Sequence, residues 1–167
     1  MSTEAVFNVH LVLGYLAWGL LFGTYLLPRL KLMPQLDALR AIATLHSFRF
    51  FGLVFIVPGV VGQNLPTDFA TYAAYGDFAT GVLALLALIA FRWRATFVSL
   101  VVAFNVVGTL DLLIDYWHAV QADLPKIPGE LGATYAIPII YVPLLMITHV
   151  LAFYLLAKSR QAKLVAA

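Results

Sequence analysis

The chain has 167 residues, 63% of them hydrophobic and 11% charged, whereas soluble domains carry about 25% charged residues; an ordinary soluble domain is excluded, and a single membrane domain is expected. Lysine and arginine number 10 against 8 aspartates and glutamates, but the bases gather at the ends of apolar segments, where they meet lipid headgroups, and indicate no nucleic-acid site. The sequence has no cysteine, which removes disulfides, thiolate nucleophiles, iron–sulfur clusters and thiolate metal sites.

The first residues, Met1 to Asn8, carry no basic run and no small-residue cleavage site, so a cleaved signal peptide is not expected. Crossing a hydrocarbon core of about 30 Å takes about 20 helical residues. Five apolar segments meet that length, at residues 6–32, 36–61, 69–91, 95–120 and 133–157. Pro28-Arg29-Leu30-Lys31 closes the first. Pro58-Gly59 and the Gly62–Pro66 loop close the second, and Arg92-Trp93-Arg94 separates the third from the fourth. A loop with Pro125, Pro128 and Gly129 leads to the fifth. The fold class expected is all-α, an integral membrane bundle of five transmembrane helices.

With the N-terminus outside, the inner ends collect Arg29, Lys31, Arg40, Arg92, Arg94, Lys158, Arg160 and Lys163, and the outer side keeps Lys126 as its single base. That distribution follows the positive-inside rule. It predicts an outer N-terminus, an inner C-terminus and residence in a cell inner (plasma) membrane, with the lipid bilayer as the first partner. Tyr72, Tyr75, Tyr116, Trp117 and Tyr135 toward one boundary, and Trp93 at the other, read as interfacial aromatic belts.

Ionisable groups inside a membrane helix are costly and usually face a protein interior or a wet cavity. Here they are His46, Arg49, Asp77, Asp111, Asp115 and His149, joined by Asn105. At 1.5 Å per residue from the inner charges, His46, His149 and Asn105 share the inner half of the bilayer. Asp77 and Asp111 lie in the outer half, and Arg49 falls between. On the fourth helix Asn105, Gly108, Asp111, Asp115 and His118 fall on one arc, which reads either as the lining of a cavity or proton path or as a polar seam joining helices. Arg49 needs a partner. Because side chains lean toward the N-terminus of their own helix, Asp111 is the nearer one, and Asp77 joins only if the arginine stays extended. The alternatives for this cluster are a structural ion pair and a substrate-binding or gating role.

His46 and His149, at matched depth on the second and fifth helices, are candidate axial ligands of a b haem, or of another metal, in an apolar slot. His10 and His118, near the outer ends of the first and fourth helices, form a second candidate pair, and Arg49 could then hold a haem propionate. Pro138 and Pro143 free backbone carbonyls near Thr134 and Ile139, and Tyr141 can place a hydroxyl in the resulting pocket. The lysines all lie at helix ends or in loops, so no retinal Schiff base is expected. No phosphate loop, paired-histidine zinc helix or Gly-x-Ser-x-Gly elbow is present.

The first helix runs from His10 through Trp18-Gly19 to Leu27-Pro28-Arg29-Leu30. It resembles the opening helix of small haem- or copper-associated membrane proteins of the HemJ and CopD type. The likeness covers about 25 residues, and five spans depart from the four of the HemJ group. It implies b haem binding and His10 as a haem ligand, and it says nothing of His46 or His149. The expected function is therefore b-haem electron transfer or quinone-linked redox chemistry. The alternatives are a transporter or channel for a small solute, ion or proton, and an accessory subunit of a membrane complex or homo-oligomer.

Overall fold

The computed structural model describes the backbone of residues 1–165 and the side chains of residues 1–158; the basic residues Arg160 and Lys163, expected on the inner side, lie outside the described side chains. Among the described residues the chain is helical, with no strand and one isolated bridge between Pro58 and Val61. Five helices are long and apolar enough to cross a membrane: α1 Thr3–Leu32, α2 Gln35–Ile56, α3 Thr67–Arg92, α4 Arg94–Gln121 and α5 Ile137–Lys158.

Helices α2, α3, α4 and α5 close a core in that cyclic order, with α5 returning to touch α2. Helix α1 lies outside this ring against α5, and only Phe7 and Phe22 on it are buried. The contact depends on the prolines of α5. Pro143 has no N–H to give to Ile139 four residues earlier, and Ile139 O faces Gly14 of α1 so closely that a Cβ at residue 14 would overlap it. The next carbonyl, of Ile140, accepts a hydrogen bond from Trp18 Nε1 at 2.8 Å. Residues Ile137–Tyr141 are wound as a π-helix, as are Phe22–Leu26 just ahead of Pro28; such widened turns accommodate the missing donors.

Helix α2 ends at Ile56, not near residue 61 as its apolar run suggests. Beyond it Val57 is extended and Gly59 has φ +82°, so the chain turns back and docks on the loop before α5. Gly62 N donates to Glu130 O at 2.8 Å and Ala133 N to Val60 O at 3.0 Å. Gly132, with φ +53°, lies against Val60 O where a side chain would not fit. These bonds occupy residues 128–135 as a short 3₁₀ segment, so α5 starts at Ile137. In the same loop Lys126 Nζ lies 3.0 Å from Asp123 Oδ1, and this hydrogen bond and the carboxylate's charge raise the ammonium pKa.

The second half of α2, Ser47–Ile56, is a 3₁₀-helix. Its three residues per turn place positions three apart on one line, so His46, Arg49, Gly52 and Phe55 form a single buried row while Phe48, Phe50 and Phe51 stay exposed. At 3.6 residues per turn the same row would drift away from the core by about 60° per step. The pitch of α2 thus brings the histidine and the arginine to the same place.

The interior has three layers. Toward the end bearing Arg29, Lys31, Arg40, Arg92, Arg94 and Lys158, here the basic end, lies an apolar cluster that includes Leu39, Ile42, Phe97, Val101 and Phe104. Toward the opposite, acidic end lies a second cluster with Phe7, Phe55, Phe69, Leu124 and Ile137. The buried polar residues separate the two.

Candidate functional site

Arg49 is the centre of the polar layer and is 0% exposed. Its Nε donates to Asp77 Oδ1 of α3 at 2.5 Å, and its Nη2 to Asp111 Oδ2 of α4 at 2.5 Å. Nη1 donates to Gly108 O at 3.2 Å and lies 3.2 Å from His149 Nε2 of α5. One guanidinium therefore ties four helices together. Asp77 and Asp111 share it at equal distance, so the preference for Asp111 expected from side-chain lean is replaced by bridging. The five N–H donors of the planar guanidinium permit two carboxylates at once.

Three glycines provide the space. The Asp77 carboxylate lies over Gly52, the Asp111 carboxylate over Gly76, and the Arg49 and His149 tips over Gly108; a Cβ at any of the three would overlap the group it faces. Each charged side chain thus rests on bare backbone of the neighbouring helix.

On the basic-end side of Arg49, His149 Nδ1 pairs with Asn105 Oδ1 at 2.9 Å, and His46 Nε2 with the Thr148 hydroxyl at 3.0 Å. His46 and His149 rings are in contact, with centroids 4.1 Å apart and planes at 41°. The structure thus brings together His46, His149, Asn105, Arg49, Asp77 and Asp111. His10 and His118 have other partners: His10 Nδ1 meets the Tyr135 hydroxyl at 3.0 Å, and His118 stacks on Tyr72 with centroids 4.5 Å apart. Tyr141 is adjacent to the layer, and its hydroxyl is buried without a hydrogen-bond partner among the described residues.

The residues do not fit a haem held between His46 and His149. Bis-imidazole ligation requires a nitrogen of each ring to face iron from opposite sides of a macrocycle. Here the rings touch, both nitrogens of His149 are engaged, and of the four ring nitrogens Nδ1 of His46 alone has no partner among the described residues. Among the described residues no group of three or more His, Asp or Glu is placed to hold a metal ion.

On the other side of Arg49 the polar layer borders a cavity of about 190 Å³ within the acidic-end half. Its walls are mostly apolar, with Leu11, Phe55, Phe69, Leu112 and Val142 among them, and its polar lining includes Asp77 and Asp115. Asp115 Oδ1 is buried and has no hydrogen-bond partner among the described residues. The exposed lining residues are Asn8 and Val120, which put the mouth between α1 and α4. Next to it the two helices are joined by Tyr15 and Tyr116, whose hydroxyls lie 2.6 Å apart.

The polar arc of α4 reads in the sequence as a candidate cavity lining, and Asp115 of that arc does line the cavity; its apolar walls and its position have no sequence signal, because a void is set by how whole helices pack. Thr148, Gly52 and Gly76 were missed, although the glycines had a signal, since Gly52 follows His46 and Arg49 at intervals of three, the period of a 3₁₀ row.

No curated protein and no solved structure matches the chain. The sequence model of one family, described as a domain of unknown function (DUF8737), matches residues 6–157, and the chain belongs to that family.

Proposed function

We propose that the chain is a multi-pass protein of the cell inner (plasma) membrane that acts as a carrier for a small solute. In this reading the N-terminus lies outside and the C-terminus inside, and the Arg49 cluster is the floor of a binding site open to the outer half. The observation that carries it is the position of the cavity. It lies wholly to the acidic side of Arg49 and ends on Asp77 and Asp115, whereas the basic side is filled by packed apolar residues.

The topology is supported by the bases: Arg29, Lys31, Arg40, Arg92, Arg94 and Lys158 cluster at one end and Lys126 alone is at the other. The one-sided opening favours a carrier over a channel, which needs a continuous path. Helix α2 supplies an element able to change, because 3₁₀ stretches within helices often mark hinges. Haem electron transfer is set aside because the histidine rings leave no room for a macrocycle. Arg49 is not a free anion site, since Nε, Nη1 and Nη2 all have partners.

The natural absence of cysteine makes the test clean. Ala119→Cys, in the cavity wall, should react with a membrane-impermeant thiol reagent added outside. Ala43→Cys, in the apolar layer on the basic side, should react more slowly with the same reagent supplied inside, as the carrier samples its other state. Labelling of Ala119→Cys alone would mark a receptor or accessory subunit, and labelling of neither would remove the site.

A further inference from the structure

We infer that the cavity takes a small ligand with an apolar body the size of about one ring and a single ammonium group, seated against Asp115 with Asp77 beside it. The inference rests on the carrier reading for the cavity's access and adds the chemistry of what enters.

Charge is the first argument. The one guanidinium of the layer bonds both Asp77 and Asp111, and Asp115, one turn beyond Asp111, has no such partner. Asp111 and Asp115 are four residues apart on α4, so they lie on the same face one turn apart, where like charges repel. Among the described residues no lysine and no second arginine enters the layer, and its two histidines, His46 and His149, lie on the basic-end side of Arg49: Lys126 is exposed and paired with Asp123, and His118 stacks on Tyr72. A ligand ammonium beside Asp115 would hold that carboxylate ionised against this repulsion, and the buried Asp115 Oδ1 has no donor among the described residues.

The walls are the second argument. An anionic ligand would meet Asp77 and Asp115 and find every Arg49 nitrogen engaged. A strongly polar ligand would be desolvated against Phe7, Phe55, Phe69 and Val142 with few partners. Size is the third. An apolar cavity of about 150 Å³ accepts benzene, so about 190 Å³ accommodates one ring with a short arm.

The test uses the full chain in lipid nanodiscs and tritiated 2-phenylethylamine, with empty nanodiscs as the background. Two matched competitors are propylbenzene, neutral, and 3-phenylpropionate, anionic. Saturable binding of the amine is expected, with both competitors weaker by about tenfold or more. Asp115→Asn should weaken the amine by a similar factor, and Ala119→Leu should remove binding by filling the cavity. Size-exclusion elution identifies any variant that fails to fold, and the comparison of the three ligands on the parent protein does not depend on a variant. Equal competition by propylbenzene, preference for 3-phenylpropionate, or unchanged affinity in folded Asp115→Asn would overturn the ammonium assignment. If 2-phenylethylamine shows no saturable binding while Ala119→Cys is labelled from outside, the ligand class fails and the site stands. If both fail, the site itself is wrong.

Discussion

The carboxylate of Asp111 rests on the bare backbone of Gly76, in the volume that a side chain at residue 76 would occupy. Asp77, the next residue on α3, rests likewise on Gly52 of α2, and Arg49 and His149 cover Gly108 of α4. The charge network and the close approach of α2, α3 and α4 are therefore one arrangement, because neither exists without the glycines. Small residues permit the same kind of approach wherever membrane helices pack without a hydrophobic driving force.

Glycine-to-alanine changes should therefore differ in sign along the chain. Gly76→Ala and Gly108→Ala push into buried charged tips and should destabilise by about 1–3 kcal/mol, the usual range for overpacking. Gly19→Ala meets nothing within 4 Å and should be neutral or stabilising by up to about 1 kcal/mol, since alanine favours the helix. Thermal melts in one detergent compare the three; equal effects at all positions would mean that the seats are not tight.

The attachment of α1 should depend on Trp18. Trp18→Phe keeps most of the ring and removes the donor to Ile140 O, an expected loss of about 1 kcal/mol. The same melts read it, and a stability equal to the parent would show that apolar contact alone holds α1.

The two histidines should not be equivalent. His149→Leu leaves Asn105 Oδ1 without its partner and removes a neighbour of Arg49. His46→Leu loses one hydrogen bond, to Thr148, and that hydroxyl keeps Leu144 O and Leu145 O within hydrogen-bond reach, while leucine retains apolar contact with the His149 and Phe104 rings. An unsatisfied buried group costs about 1–3 kcal/mol, so His149→Leu should be the more destabilising by about that amount. Equal losses would indicate that the Asn105 contact contributes nothing.

The five long apolar helices were legible because length and apolarity are properties of the sequence itself, and the ionisable groups within them stood out because such segments hold so few. Pairing of Arg49 with a carboxylate followed from its burial. The bridging of Asp77 and Asp111 did not, because it depends on Gly52 and Gly76 bringing α3 and α4 near one guanidinium. Nor did the contact between the His46 and His149 rings, which depends on the change of pitch after His46. Matched depth along the membrane normal places two side chains in one layer, but the rotation of each helix decides whether a cofactor fits between them. The end of α2 differs from its apolar run for a related reason: Val57, Val60 and Val61 are apolar, yet the backbone turns there so that Val60 O accepts from Ala133 N and Gly62 N donates to Glu130 O.

Topology has a simple check. A reporter that is active only in the cytoplasm, fused after Ala167, should be active, and the same reporter ahead of Met1 should be silent. The reverse pattern would contradict the assignment made from the basic residues.

The charge network is tested most directly by the unfolding stability of an Arg49 series in a single detergent. Arg49→Met leaves two buried carboxylates without their cation and should lose about 3–5 kcal/mol. Adding Asp111→Asn should recover part of the loss, and adding Asp77→Asn as well should recover most of it, because no uncompensated member of the bridge then remains. An Arg49→Met protein that melts with the parent, or a triple variant no more stable than the single one, would contradict a guanidinium shared between Asp77 and Asp111 at the floor of the cavity.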